Sequence, residues 1–279
     1  MNMASNLQFR HKVSGFTLIE MVVTIVIIGI LGVGISSFIG NTTKGMVDTA
    51  ERSQVATIAW LVSERLSKSL RHALPNSIRI NTTDGRCLEY IPIYAGTDYL
   101  SVPIAVGSSQ FEVAPFSNLA NGFNFTTQPL RAAVYPHTTA GLYTLTTTSM
   151  ISSAVSQLSA GTTTNTQAIT LSTSHQFPLD SPNNRLFLVT EPNMFCFRNG
   201  QLVHYRDYGY NAVFTDSSTD LSNDTVMGSS LGQGSNQGTF NYTPSTLQRN
   251  GVISIDFKVV GDDSLVQSVN QEVQIRNVP

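Results

Sequence analysis

The chain has 279 residues and a formal net charge of −2, which leaves room for one long apolar helix and a globular part of ordinary size. Only 12% of the residues are charged and no basic patch follows the first residues, so nucleic-acid binding is not expected. The two cysteines, Cys87 and Cys196, lie far apart in sequence, which argues against a cysteine-ligated metal cluster.

The first predicted element is an apolar run from Phe16 to Ile39, 24 residues long, in which Glu20 is the only charged residue. A run of this length is long enough to cross a bilayer as an α-helix. A carboxylate in such a helix costs up to roughly 3 kcal/mol at the bilayer centre and less near an edge. Glu20 lies near an edge, and it is predicted to have a function and a partner.

The residues before this run differ from an ordinary secretory signal. Arg10 and Lys12 precede Gly15, the apolar run is too long for a signal core, and no A-x-A-like cleavage site follows it. Any cleavage is therefore predicted before the helix. The basic residues place the N-terminal side in the cytoplasm and the rest of the chain across the membrane. A plain signal anchor with an uncut tail is the alternative.

The segment GFTLIE at residues 15–20 resembles the leader motif of type IV pilins and type II secretion pseudopilins. The resemblance implies that a prepilin peptidase removes residues 1–15 by cutting after Gly15, and that the same enzyme methylates the new amine of Phe16. It also implies that Glu20 serves assembly by meeting the N-terminal amine of a neighbouring subunit. An ammonium within about 4 Å of a carboxylate in a poorly solvated setting offsets part of the burial cost of both charges.

The partners that this resemblance implies are other minor and major pilins, contacted through the N-terminal helix. The prepilin peptidase and methyltransferase, the inner membrane and the pilus assembly platform within it complete the set. The implied localisation is the inner membrane, with one transmembrane pass, a cytoplasmic N-terminus and a periplasmic C-terminal domain, followed by the pilus and the cell surface.

Four further segments extend the resemblance. They are similar to a minor pilin of the mannose-sensitive haemagglutinin (MSHA) pilus, which is itself similar to J-type pseudopilins. The segments are ALPNSIRI (73–80), CLEYIPI (87–93), FCFRNGQLVHYRDYGY (195–210) and VQIRNVP (273–279). The function implied is a structural minor pilin that primes or caps a type IV pilus, with a type II secretion J-type pseudopilin as the alternative.

After the membrane half at 16–40, an amphipathic half of the same helix is predicted over 41–75. Apolar residues recur at spacings of three or four along one face, and Leu-Pro-Asn at 74–76 ends the helix. Glycines between the two halves either let the helix bend or let neighbouring helices approach closely, and the sequence leaves both interpretations open. The predicted apolar face comprises Val55, Ile58, Val62, Leu66, Leu70 and Leu74.

Residues 76–279 are predicted to form a β-rich domain, so the fold class is α+β: a long N-terminal helix packed on an antiparallel sheet. Alternation in 252–260 places Ile253, Ile255 and Phe257 on one face of a strand. Asn199-Gly200 predicts a two-residue hairpin turn that pairs Arg198 with Gln201. The polar stretches 144–174 and 215–243 are either loops or weak edge strands.

Cys87 and Cys196 are predicted to form a disulfide. The predicted topology places both in the oxidising periplasm, and an even number of cysteines leaves no spare thiol. Each lies in a predicted strand, so the bond would tie two strands of one sheet. Two buried free thiols are the alternative.

The sequence contains no recognisable catalytic pattern. Its histidines lack metal-ligand spacing, and GQGSNQG at 232–238 lacks the strand and helix that a dinucleotide loop needs. Asp216, Asp220 and Asp224 recur in an acidic segment that is expected to be solvated rather than to bind calcium. No enzyme activity, metal or cofactor is predicted. Besides a structural pilin, a tip adhesin binding through 144–174 and 215–243 and a membrane-anchored envelope enzyme remain as alternatives.

Overall fold

The structure is a computed structural model that describes residues 15–119, 123–214, 224–234, 237–246, 249–262 and 265–275. The chain divides into two compact units, Met1–Arg52 and Ser53–Pro279. The elements are α1 (Leu18–Arg71), β1 (Arg79–Ile80), β2 (Cys87–Tyr90), β3 (Ile93–Asp98), β4 (Ser108–Val113), β5 (Arg131–Val134), β6 (Ile151–Ala160), β7 (Gln167–His175), β8 (Arg185–Val189), β9 (Asn193–Arg198), β10 (Gln201–Tyr205), β11 (Asp224–Gly228), β12 (Thr239–Thr243), β13 (Gly251–Val260) and β14 (Val266–Ile275).

In the first unit, the described chain is helical from Leu18 onward. Within the described residues, α1 is the one helix long and apolar enough to cross a membrane. The helix stays unbroken through its glycines, and a Cβ added at any of them would meet no other atom within 4 Å. The glycines therefore neither interrupt the isolated helix nor fit against another part of the same chain.

In the second unit, the rest of α1 buries one face against two sheets. The buried apolar residues follow the spacing of three and four that the sequence predicts. They pack with side chains from both sheets around one core, so burial of this face holds the helix to the sheets. The buried residues of the helix are Val55, Ala59, Val62, Leu66, Ser67 and Leu70.

The helix ends at Arg71, before the end predicted at Leu74. The backbone beyond Arg71 pairs instead with the chain after β2: the Leu74 N–H donates to the Ile91 carbonyl (2.8 Å), and Ile93 N–H donates to the His72 carbonyl (2.8 Å). Pro75 favours an extended Leu74, which suits this pairing. Leu74 is fully buried, but in a different cluster from the rest of the predicted helix face.

Two antiparallel sheets lie against the helix, with strand orders β1-β2-β9-β10-β11 and β12-β13-β14. The predicted hairpin is confirmed: Arg198 pairs with Gln201, and Asn199 and Gly200 both have positive φ, as the type I′ turn requires. The predicted alternation of β13 is also confirmed, with Ile253, Ile255 and Phe257 buried on the helix side. The fold class is thus a long N-terminal helix packed on antiparallel sheets, α+β and pilin-like.

A third sheet has the order β3-β8-β5-β6-β7-β4 and curls back on itself. Its end strands meet where Tyr99 pairs with Val113, beside backbone bonds from Leu100 N–H to the Glu112 carbonyl (3.1 Å) and from Ala114 N–H to the Asp98 carbonyl (2.7 Å). The sheet therefore closes into a small barrel, which surrounds its own apolar core. The polar stretch 144–174 contributes β6 and most of β7, so strands rather than loops occupy most of it.

The barrel is inserted between two neighbouring strands of the helix-packed sheet. All six of its strands lie in sequence between β2 and β9, and these two strands are hydrogen-bonded to each other along Cys87–Tyr90. The chain thus leaves the sheet after Tyr90, forms the barrel and returns at Asn193, directly opposite its point of exit. The helix–sheet core comprises residues 53–90 and 193–275, and the barrel comprises residues 91–192.

Candidate functional site

The start of α1 carries the residues that the sequence singles out. Thr17 precedes the first helical residue, and its carbonyl accepts from Glu20 N–H (3.1 Å) and Met21 N–H (3.2 Å). The Glu20 carboxylate lies in the first turn, where the partial positive charge of the helix end favours an anion. Its Oε2 accepts from the backbone N–H and the hydroxyl of Thr17, each at 3.4 Å.

This arrangement is one half of a capping box: the Glu three residues on accepts from the backbone N–H of Thr17. The signal is present in the sequence as Thr-Leu-Ile-Glu at 17–20, although the cap was not predicted from it. Both bonds to Glu20 are longer than the usual 2.7–3.2 Å for hydrogen bonds of the N–H···O type. The carboxylate is thus weakly held and exposed, and it can still accept a stronger donor.

Gly15 and Phe16 lie in the non-helical segment just before α1. Phe16 is 79% exposed, and a Cβ added at Gly15 would meet no atom within 4 Å. Among the described residues nothing covers the peptide bond between them, and a peptidase need not unwind its backbone from a helix. Arg10 and Lys12 lie outside the described residues.

Among the described residues, the next cation along α1 after Glu20 is Lys44. At 1.5 Å per residue it lies roughly 36 Å further along the helix, too far to pair with the carboxylate. An amine created at Phe16 would lie only four residues before Glu20 in the chain.

Cys87 and Cys196 face each other on β2 and β9 and form a disulfide, with their Cα atoms 4.2 Å apart. Both are buried, together with Met194, Val203 and Tyr205. The bond joins the last strand before the barrel to the first strand after it. It therefore fastens the two ends of the insertion.

A buried ion pair lies beside the disulfide on the same sheet. The Arg79 guanidinium donates from Nε to Glu89 Oε2, and Tyr208 donates its hydroxyl to Glu89 Oε1 (2.8 Å). Burial raises the pKa of Glu89, and the bonds from Arg79 and Tyr208 oppose that shift. This pair was not predicted, although a charged residue within the short apolar segments SIRI and CLEY was an available signal.

The two terminal nitrogens of Arg79 are also bonded within the protein. They donate to the carbonyls of Asn211 (2.6 Å) and Ala212 (3.0 Å), and Cζ lies 3.6 Å from the ring centroid of Tyr143. Each nitrogen of the guanidinium thus donates to another group of the protein, an arrangement that suits a structural role rather than catalysis.

The tyrosines that follow β9 and β10 belong to the core rather than to a ligand site. Tyr205 is 4% exposed in the disulfide cluster, Tyr208 binds Glu89, and Tyr210 donates to the Thr190 carbonyl (2.8 Å). Of the acidic run, Asp216 and Asp220 lie outside the described residues, and Asp224 begins β11. No group of three or more His, Cys, Asp or Glu suited to a metal occurs in the part of the chain that the structure describes.

Comparison with known protein families matches residues 10–36 to the prokaryotic N-terminal methylation motif. The match contains Gly15, Phe16, Glu20 and the first half of the apolar helix. No curated protein and no solved structure matches the chain. The motif implies processing by prepilin peptidase and assembly with other pilins, as a structural rather than an enzymatic subunit. Together with the long helix packed on antiparallel sheets, the motif makes the chain similar to type IV pilins and pseudopilins.

Proposed function

We propose that the chain is a minor pilin of an MSHA-type type IV pilus, similar to MshO, and that it takes part in priming or capping the pilus. The observation that carries this proposal is the start of α1. A weakly held carboxylate lies four residues after Phe16, and the Gly15–Phe16 bond precedes the helix, within a matched methylation motif. The resemblance of four segments beyond the motif supports the MSHA assignment.

In this proposal, residues 1–15 are a leader that is cut after Gly15, and Phe16 becomes the methylated N-terminus. Residues 16–40 anchor the subunit in the inner membrane, residues 41–75 continue the helix, and residues 76–279 lie in the periplasm until assembly. The pilus assembly platform and other minor and major pilins are the partners. Glu20 pairs with the amine of Phe16, first its own and then that of a neighbouring subunit.

Intact mass of the protein from native membranes tests the processing step. A chain that begins at Phe16 and carries one methyl group is expected. A chain that retains residues 1–15 in a strain with active prepilin peptidase would contradict the proposal.

Piliation by Glu20 variants tests the assembly step. Glu20→Ala removes both the charge and the bonds to Thr17, whereas Glu20→Gln keeps an acceptor for Thr17 and removes only the charge. Both variants are expected to be cleaved at Gly15, to be stable in the membrane and to fail in piliation.

Glu64→Ala removes another carboxylate of the helix, within the second unit, and serves as the matched control. A strain that carries this variant should form normal pili. Piliation by Glu20→Gln at the wild-type level would assign Glu20 to helix capping instead of charge pairing. A strain that lacks the chain and loses type II secretion, but not its pili, would favour the J-type pseudopilin.

A further inference from the structure

The barrel leaves and re-enters the helix–sheet core at one paired position. Tyr90 pairs with Asn193, and the disulfide joins the strands at Cys87 and Cys196, three residues further from the barrel. Because Tyr90 and Asn193 are paired across β2 and β9, the core needs only a connection between these two adjacent strands. Any segment that joins two antiparallel neighbours would meet that need, a short turn included.

The barrel also completes its own interior. Its apolar cluster contains Leu130, Val155, Ile169, Phe177 and Leu186, all at most 3% exposed, and every buried member lies within 95–188. The cluster that holds α1 to its sheets draws its buried members from 55–90 and 195–275. The two interiors share no residue, so filling one does not depend on the other.

Contact between the two parts runs through a smaller cluster at the junction. Leu74 and Ile91 pack there against barrel residues such as Tyr143 and Val189. Polar contacts accompany it: Tyr143 donates to the Ser77 carbonyl (2.7 Å) and its ring centroid lies 3.6 Å from Arg79 Cζ. The Asn76 amide donates to the Pro136 carbonyl (2.9 Å), and Tyr210 donates to the Thr190 carbonyl (2.8 Å). The junction fixes the position of the barrel on the helix–sheet core, and the two apolar cores remain separate.

We propose that residues 91–192 are a separable domain, which the helix–sheet core displays and does not need for folding or for filament assembly. The assembling surface is α1 with its two sheets, and its partners are other pilin helices. The Cys87–Cys196 disulfide keeps β2 and β9 paired even when the barrel is unfolded or replaced. The assembly half of this inference rests on the proposed function, and the folding half does not.

An excised variant tests both halves. Replacing residues 91–192 by Asn-Gly joins Tyr90 to Asn193 with the same turn that already joins Arg198 to Gln201. The register suits this turn. Cys87 and Cys196, with Cα atoms 4.2 Å apart, form a non-hydrogen-bonded pair, so Tyr90 and Asn193, three positions on, form a hydrogen-bonded one. Leu74→Ser is added because Leu74 loses its apolar neighbours on the barrel.

The excised chain is expected to form the Cys87–Cys196 disulfide, to resist protease and to restore piliation in a strain that lacks the wild-type chain. A reduced or degraded chain would overturn the inference, and so would a folded chain that fails to restore piliation. If the strain that lacks the chain still forms normal pili, the proposed function is wrong instead. In that case hydrogen exchange alone tests whether the core folds without the barrel.

Hydrogen exchange in the full-length protein supplies that second measurement. Ile169→Ala opens a cavity in the barrel, and Ile253→Ala opens a matched one in the helix–sheet core; both side chains are fully buried. Each should lower protection on the order of tenfold or more, and only in its own part. Equal loss of protection in β7 and β13 by either variant would show a single cooperative unit and overturn the proposal.

Discussion

The helix–sheet core and the barrel are built from similar strands but are stabilised in different ways. In the core, Glu89 is a buried carboxylate paired with the partly buried Arg79, and a covalent bond crosses two strands. In the barrel, the carboxylate of Glu112 is held by threonine hydroxyls near the surface, and the buried polar side chains are those of Ser, Gln and His. A buried charge is costly when it is unpaired, whereas an exposed one is hydrated. Substitutions that leave a charged group without its partner should therefore cost far more in the core.

The largest effect is expected from Arg79→Met, which leaves Glu89 buried without its cation. The free energy of unfolding of the core should fall by about 3–5 kcal/mol, because an uncompensated buried charge remains. Hydrogen exchange of β2 and β9 at increasing urea measures the change. Arg86→Met, which breaks an exposed ion pair with Asp84, is the control and should cost about 1 kcal/mol or less. Recovery of stability in Arg79→Met/Glu89→Leu would locate the cost in the unpaired carboxylate.

Removal of the disulfide should come next. Replacing Cys87 and Cys196 together by Ala is expected to destabilise the core by about 2–4 kcal/mol, since the bond closes a long loop in the unfolded chain. Thermal unfolding followed by exchange of β9 and β10 provides the measurement. Protection of the barrel strands β6 and β7 should not change. If barrel protection falls as far as core protection, the comparison between the two parts is wrong.

A smaller effect is expected at the seam of the barrel. The Tyr99 hydroxyl donates to Asp180 and accepts from Ser181 N–H (2.8 Å), so Tyr99→Phe should cost about 1–2 kcal/mol. Burial and Asp180 raise the pKa of Tyr99 to about 12. Because this pKa lies above the value of 10.0 for an ordinary tyrosine, the hydroxyl should stabilise the barrel fully below pH 10 and lose that effect as the pH rises toward 12.

Alkaline unfolding of wild type and Tyr99→Phe, followed through exchange of β3 and β4, measures this contribution. The difference between the two proteins should be constant at neutral pH and shrink above about pH 10, the ordinary pKa of tyrosine. A difference that persists unchanged at the raised pKa of Tyr99 would contradict the assignment.

The smallest effect is expected at Glu112, which joins β4 to the turn between β6 and β7. The hydroxyl and backbone N–H of Thr162, with help from Thr166, lower the pKa of Glu112 to about 2. A carboxylate with a lowered pKa stabilises the fold above its ordinary pKa, given as 4.5, and this contribution is lost as the pH falls toward 2. Wild type should therefore lose barrel stability over this range relative to Glu112→Gln, as measured by acid unfolding. Parallel acid curves for the two proteins would rule out the contribution.

Local signals in the sequence predicted the parts of the fold that depend on neighbouring residues. Asn199-Gly200 fixed a hairpin register, and strict alternation identified the buried face of β13. The strands β6 and β7 were left undecided, because their outward positions carry Ser and Thr and their apolar alternation is broken by bulges. Insertion of the barrel between β2 and β9 depends on pairing across about a hundred residues, which no local pattern encodes.

The candidate site divides in the same way. The leader motif is contiguous, so Gly15, Phe16 and Glu20 could be selected from sequence alone. The bonds between Thr17 and Glu20 join residues three apart in one segment, so their spacing was an available signal for them. The Arg79–Glu89 pair needed the register of β1 against β2 and the return of Tyr208 from a distant segment, so sequence reasoning had no means of assembling it.

The meeting of β3 and β4 at Tyr99 and Val113 has a consequence for many copies of the chain held together. An open sheet offers rows of unpaired N–H and C=O groups at its edges, which another copy can use as a template for aggregation. Copies of the chain at high local concentration would be especially exposed to that hazard. Because the two edge strands of the barrel meet, fewer of their N–H and C=O groups are available to another copy. Barrels packed closely together can therefore avoid pairing edge to edge.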